Sequence, residues 1–72
     1  MDKLKKLDKK LVAKNVAKLI AESNIANEEI ANMLDISTRL IYYWQNGKRV
    51  PSTENVYGLA QIFNVPMESI LA

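Results

Sequence analysis

The residues of this chain that are best suited to bind another molecule lie in the segment ISTRLIYYWQNGKRVPS, residues 36 to 52. If residues 38 to 45 form a helix, successive side chains turn by about 100° and separate into two faces. One face is mainly apolar and consists of Ser37, Leu40, Ile41 and Trp44. The opposite face is polar and aromatic and consists of Thr38, Arg39, Tyr42, Tyr43 and Asn46. The first face can be buried in a core, whereas the second is suited to contact a partner.

The polar face carries groups that fit the base edges in the major groove of DNA. The guanidinium of Arg39 can donate two hydrogen bonds to guanine, and the hydroxyls of Thr38 and Tyr43 can bond bases or phosphates. We therefore expect Thr38, Arg39 and Tyr43 to contact bases. Tyr42 lies between this face and the side of the fourth helix, so base contact, phosphate contact and cover for the core edge all remain open. A solvated helix face is the alternative interpretation of the whole set.

The residues that flank this helix are suited to contact phosphates. Ser37 is expected first to cap the helix with its hydroxyl, and to bind a phosphate if the helix start faces the DNA backbone. Asn46, Lys48 and Arg49 follow the helix on a loop, where phosphates pass if the helix enters the groove. A solvated turn is the alternative interpretation of that loop.

The composition excludes several classes of protein. Cys and His are both absent from the 72 residues, which removes disulfides, zinc-finger ligands and the usual pairs of nucleophile and base. We therefore expect no enzyme activity, no metal and no cofactor. Hydrophobic residues make up 49% and charged residues 25%, which indicates one globular domain rather than a disordered chain. No apolar run is long enough for a membrane span or a signal peptide, so the expected location is cytoplasmic.

Positive charge is concentrated at the amino end of the chain. The formal net charge is only +2, but the first 18 residues contain seven lysines against Asp2 and Asp8, a net charge of +5. Lys48 and Arg49 add positive charge directly after the polar-aromatic helix. This distribution is a weak electrostatic indication of a nucleic-acid partner.

The pattern of apolar residues predicts five helices and no strand, and therefore an all-α fold. Lys3 to Glu22 contains no Gly or Pro and is either one long helix or a short lead-in helix followed by helix 1. Helix 2 runs from Asn27 to Leu34, and helix 3 is the segment already described. Helix 4 starts at Pro51-Ser52, and a short helix 5 covers Met67 to Leu71.

Helix ends and core positions follow from the same pattern. Gly47 and Asn64 are expected to end helices 3 and 4 in left-handed conformations, and Gly58 is expected to weaken helix 4 modestly. Trp44 has the size to anchor three helices. The predicted core anchors are Ile30, Ala31, Leu34, Ile36, Ile41, Trp44, Val56, Leu59, Ala60 and Phe63.

The amino-terminal segment has several interpretations. Residues 1 to 10 are assigned to a lysine-rich extension or to the start of helix 1, and residues 11 to 72 to the domain itself. The lysines form either a flexible basic arm that follows DNA or the solvated face of a long helix 1. Leu4, Leu7 and Leu11 form an apolar stripe that could support dimerisation, bind a partner protein or cover the domain.

Seven short motifs follow one another at fixed spacing from about Val16 to Leu71. They are Asn27, Ile30-Ala31, Asp35-Ile36-Ser37, Ile41 to Gly47, Pro51-Ser52, Leu59-Ala60 and Asn64-Val65. In order and spacing they resemble the Cro- and repressor-type helix-turn-helix proteins, also called the XRE family. Each motif alone is weak evidence, whereas the ordered series is specific. The resemblance implies a compact five-helix, lambda-repressor-like DNA-binding domain in which helices 2 and 3 form the helix-turn-helix.

Two departures from the family pattern affect the ends of helix 2. The family's turn glycine is Asp35 here, which is tolerable because Asp enters left-handed conformations more readily than most residues. The usual Ser or Thr cap is Ala26. Asn27 therefore has two interpretations: it caps helix 2, or it contacts a base as the equivalent residue does in relatives.

Two further departures concern helix 3. Many relatives pair an Arg of helix 1 with a Glu that follows the Trp, whereas this chain has Ile20 and Gln45, so that no lone charge is buried. Tyr42 and Tyr43 stand where small, amide or basic residues are commoner. The base preference of relatives therefore cannot be carried over.

Together, the polar face and the resemblance predict a sequence-specific protein for double-stranded DNA. We expect a small transcriptional repressor or regulator that inserts Thr38 to Gln45 into the major groove and contacts two related half-sites as a homodimer. The alternative is an antitoxin-like or anti-repressor-like module that binds a protein partner through the stripe of Leu4, Leu7 and Leu11.

Overall fold

The computed structural model describes residues 8–72, and these residues form five α-helices without a strand. The helices are α1 Lys9–Glu22, α2 Asn27–Leu34, α3 Thr38–Gln45, α4 Thr53–Phe63 and α5 Met67–Leu71. α1 packs against α3 and α5, α2 packs against α3 and α4, and α4 packs against α5. The prediction of an all-α fold with five helices is confirmed. No helix in the described part of the chain is both long and apolar enough to cross a membrane.

α1 begins at Lys9 because Asp8 caps it. Asp8 has an extended backbone, and its carboxylate accepts hydrogen bonds from the backbone N–H groups of Lys10 (3.1 Å) and Leu11 (3.2 Å). These bonds satisfy N–H groups that have no partner within the helix. The alternative of one unbroken helix from Lys3 to Glu22 is therefore wrong. Residues 1 to 7, which include Leu4 and Leu7, lie outside the described residues.

α2 and α4 end in the same way, each with a left-handed residue. Asp35 and Asn64 both have φ of 57°. The N–H of Ile36 donates to the carbonyl of Ala31 at 3.0 Å, and the N–H of Val65 donates to the carbonyl of Ala60 at 3.0 Å. This is the Schellman arrangement, in which the residue after the left-handed one returns to the last turn of the helix. The predicted turn at Asp35 and the predicted stop at Asn64 are confirmed.

Serines begin α3 and α4 as the sequence predicts. The Ser37 hydroxyl accepts from the Leu40 N–H at 3.3 Å, and the Ser52 hydroxyl accepts from the Asn55 N–H at 3.2 Å. After α3 the chain turns at Gly47, which has φ of 71°. The positive φ confirms that a left-handed residue is needed at this stop.

All five helices contribute to one core. Of the ten predicted anchors, seven are buried, and the other three, Leu34, Ile36 and Phe63, are half-buried and pack against the core. Trp44 on α3 is only 1% exposed and is among the largest fully buried side chains. The predicted set omitted the buried residues of α1 and α5, which are Val12, Ala13, Val16, Ile20 and Ile70.

Asn15 and Gly58 affect how neighbouring helices pack. The Asn15 amide on α1 donates to the carbonyl oxygens of Ile70 (2.9 Å) and Ala72 (3.0 Å), which ties the end of α5 to α1. On the other side, a Cβ at Gly58 would collide with the end of the Leu34 side chain. Gly58, which we expected only to weaken α4, therefore also makes room for the packing of α2 against α4.

Candidate nucleic-acid interface

The inner face of α3 fixes how this helix is presented. Ile41 is fully buried and Trp44 is nearly so, and α3 packs against both α1 and α2. Leu40 is half-buried against the same core. Ser37 is exposed, which corrects its assignment to the buried face, because it precedes the first turn of α3 and its hydroxyl is used as the cap. With these contacts α3 cannot rotate about its axis without opening the core.

The outer face of α3 is accessible to solvent. Arg39 is exposed, Tyr42 is 52% exposed, and Thr38 and Tyr43 are half-buried. Asn46 follows directly and is exposed. The predicted base-contact residues of α3 thus lie on one continuous, accessible face.

The basic loop after α3 is held against the end of that helix. The N–H of Gly47 donates to the carbonyl of Trp44 at 3.1 Å, and the N–H of Lys48 donates to the carbonyl of Tyr43 at 2.9 Å. Lys48 and Arg49 are both exposed. The loop therefore places two cations beside the outer face of α3.

Arg49 and Tyr43, which the sequence suggested for separate roles, lie together. The guanidinium carbon of Arg49 is 5.3 Å from the centroid of the Tyr43 ring. This distance lies within the range of a cation–π contact. Sequence reasoning missed this pair because the two residues are six positions apart across a turn.

Asn27 does not cap α2. The capping position is Ala26, which has no side-chain hydrogen bond to the helix, and Asn27 is the first helical residue. Its amide nitrogen instead donates to the side-chain oxygen of Gln45, the last residue of α3, at 3.0 Å. The capping interpretation of Asn27 is therefore wrong. The side chain of Gln45, which has no Arg partner on α1, accepts a hydrogen bond from α2 instead.

The Asn27–Gln45 bond joins the start of α2 to the end of α3. Both side chains are half-buried, so the bond is partly protected from water. A hydrogen bond of this kind contributes about 0.5–1.5 kcal/mol to stability. The bond restricts the position of α3, which carries the outer face, relative to α2.

The described residues offer little for other chemistry. Within residues 8–72, no group of three or more Asp or Glu residues is close enough to hold a metal ion. No buried side-chain nitrogen or oxygen in that part of the chain lacks a hydrogen-bond partner.

Two helices joined by a tight turn, with a polar outer face on the second helix, define the helix-turn-helix class of DNA-binding domains. The family model described as "Helix-turn-helix domain" matches residues 13–72. The chain therefore belongs to the helix-turn-helix domain family, as its motifs predicted.

Two solved structures are similar to this fold. The solution structure of the SOS-response transcriptional repressor LexA from Eubacterium rectale has a TM-score of 0.77 at 26% sequence identity, covering 97% of this chain and 74% of that chain. The crystal structure of a transcriptional regulator from Listeria innocua has a TM-score of 0.71 at 28% identity, covering 83% of this chain and 56% of that chain. This chain thus corresponds to little more than half of the Listeria protein. No curated protein matches the sequence significantly.

Proposed function

We propose that this protein is a sequence-specific DNA-binding regulator of transcription, acting as a repressor and not as an enzyme. The observation that carries the proposal is the outer face of α3, which is accessible while the inner face of the same helix is locked in the core. Both similar structures are named as a transcriptional repressor or regulator. The family membership supports binding to double-stranded DNA.

The dimensions of α3 suit the major groove. An α-helix with its side chains is about 10–12 Å across and the major groove of B-DNA is about 12 Å wide, so the eight residues of α3 can lie in the groove. The proposed base contacts are Thr38, Arg39 and Tyr43, with Tyr42 and Asn27 as further candidates. The proposed phosphate contacts are Ser37, Asn46, Lys48 and Arg49.

The proposal extends to how the protein acts in the cell. We place it in the Cro- and repressor-type (XRE) branch, in the cytoplasm, without a cofactor. A single domain of this size contacts few base pairs, and two domains on two half-sites supply the affinity that one lacks. The proposed active form is therefore a homodimer.

Selection of bound sequences from random DNA duplexes tests the proposal, followed by anisotropy titrations at several salt concentrations. Replacing Arg39 with Ala is expected to cost about 1–3 kcal/mol on the selected site and to relax the preference at one base pair. Replacing Lys48 with Ala is expected to weaken binding to all sequences alike and to reduce the salt slope by about 1. The two residues are matched controls for each other, because one is assigned to a base and the other to a phosphate.

Two results would contradict the proposal. The first is a selection that enriches no sequence. The second is an Arg39→Ala variant and a Lys48→Ala variant that both bind the selected site as tightly as the unmodified protein.

The alternative, a protein-interaction module, depends on the stripe of Leu4, Leu7 and Leu11. Leu11 is 37% exposed on α1, which leaves it available to a partner, while Leu4 and Leu7 lie outside the described residues. The alternative predicts a monomer that enriches no DNA sequence and co-purifies with one protein. Replacing Leu11 with Ser is then expected to abolish the co-purification.

A further inference from the structure

The contact between Arg49 and Tyr43, here called the Arg49–Tyr43 stack, links the basic loop to the outer face of α3. Tyr43 is half-buried on that face, whereas Arg49 is exposed on the loop. The guanidinium carbon lies 5.3 Å from the centroid of the ring. The stack therefore joins a side chain assigned to a base with a side chain assigned to a phosphate.

Two features of the loop backbone fix where Arg49 leaves the chain. Gly47 takes a left-handed conformation with φ of 71°, which reverses the chain after α3. The next N–H, that of Lys48, then donates to the carbonyl of Tyr43 itself at 2.9 Å. The residue that follows is Arg49, so the loop is anchored to the same residue whose ring the guanidinium covers.

The stack limits the orientations available to Tyr43. A tyrosine on an α-helix has two favoured χ1 rotamers, and a planar cation over one ring face stabilises the rotamer that makes the contact. The contact also keeps the guanidinium beside α3, where its charge can still neutralise a phosphate. An oriented phenol discriminates between bases better than a mobile one, because it cannot turn to bond a base whose edge does not fit its fixed position.

We propose that Arg49 is a positioning residue that sets base preference indirectly, by holding the Tyr43 ring in the orientation in which it meets the base. This inference rests on the proposed function, since it concerns how the same face contacts DNA. It predicts two separable contributions of Arg49. Its charge supports binding to every sequence, and its stack on Tyr43 supports discrimination at one base pair.

The test keeps the charge and weakens the stack. Replacing Arg49 with Lys retains the positive charge but loses the planar group that lies over the ring. We expect discrimination at the base pair where Tyr43→Ala relaxes the preference to fall about twofold to fivefold, while a cation that can neutralise a phosphate is kept. The matched control is Lys48→Arg, which also exchanges one cation for the other and is expected to leave discrimination unchanged.

A double-mutant cycle then assigns the effect to the stack. In a Tyr43→Ala background the replacement of Arg49 with Lys is expected to have no further effect on discrimination, because the ring is already absent. An independent measurement uses the free protein: the side-chain protons of Arg49 are expected to be shifted upfield in NMR spectra by the Tyr43 ring, and Tyr43→Ala should remove that shift.

The possible outcomes separate this inference from the proposed function. If the unmodified protein enriches a sequence but Arg49→Lys discriminates equally well, the inference is wrong and the proposed function stands. An absent ring-current shift of Arg49 in the free protein would also overturn the inference. If the unmodified protein enriches no sequence, both proposals fail.

Discussion

At the scale of single residues, Tyr42 and Tyr43 are adjacent and of the same type but differ in exposure and in contacts. Tyr42 is 52% exposed, whereas Tyr43 is half-buried and stacked against Arg49. Helical spacing predicts that both lie near the outer face, but it does not distinguish their surroundings. The difference depends on the loop after α3, whose course the sequence indicates only through the left-handed Gly47.

Asn15 is a second residue whose role depends on tertiary structure. In the sequence it is a polar position on α1, and in the fold its amide donates to the carbonyl oxygens of Ile70 and Ala72. Replacing Asn15 with Ala is expected to lower the free energy of unfolding by about 1–2 kcal/mol, since two hydrogen bonds are lost. Urea denaturation followed by circular dichroism measures the change.

The control for this prediction is Asn32→Ala. Asn32 is exposed on α2, so its replacement is expected to leave stability unchanged or to raise it slightly through the higher helix propensity of Ala. Equal effects of the two replacements would mean that the bonds from Asn15 to α5 do not stabilise the protein.

At the scale of the elements, the helix ends that depend on a few adjacent residues were predicted well. The Ser37 cap of α3, the start of α4 at Pro51-Ser52 and the left-handed stops at Asp35, Gly47 and Asn64 each depend on a residue and its nearest neighbours. The sequence left the start of α1 open between a single long helix and a break before helix 1, because the apolar spacing continues across Asp8 and conceals the cap. Apolar periodicity locates a helix more reliably than it locates the helix end.

The polar contact between α2 and α3 was not predicted. The Asn27–Gln45 bond requires the start of α2 to approach the end of α3 to within 3.0 Å, and that approach follows from how both helices pack on the core. The sequence showed only that Gln45 lacks an Arg partner at Ile20. It did not show which other group would bond to Gln45.

Asp8 and Asp35 test the assignment of helix ends, because both are exposed aspartates with opposite expected effects. Replacing Asp8 with Ala is expected to lower the free energy of unfolding by about 1 kcal/mol, since the cap of α1 is lost. Replacing Asp35 with Gly is expected to raise it by up to about 1 kcal/mol, since Gly adopts the left-handed conformation without strain.

Both aspartate variants are measured by thermal and urea unfolding at the same pH and salt. Asp35→Ala is the control, because it removes the same carboxylate as Asp35→Gly while keeping a Cβ at positive φ. It should destabilise the protein. If Asp35→Gly and Asp35→Ala had the same effect, the charge of Asp35 would matter and its backbone conformation would not.

At the scale of the whole molecule, one small core supports the exposed outer face of α3. The inner side of α3 packs against α1 and α2, and buried side chains of α4 and α5 complete the core behind these helices. Hydrogen bonds from Asn15 and Asn27 fix the helices at the periphery. This division leaves few residues for DNA contact in each domain. We therefore expect two domains to bind one operator.

A homodimer on DNA places its two α3 helices on the same side of the duplex only if the half-sites are separated by whole helical turns. The enriched sequences are therefore expected to contain two related half-sites with centres about 10 base pairs apart, or a multiple of that distance. Inserting about 5 base pairs between them should place the second half-site on the opposite side of the duplex and reduce the affinity to that of one half-site. Inserting about 10 base pairs is the matched control, because it restores the rotational alignment. Equal affinity for all three spacings, with one protein bound per duplex, would show that the domain acts as a monomer.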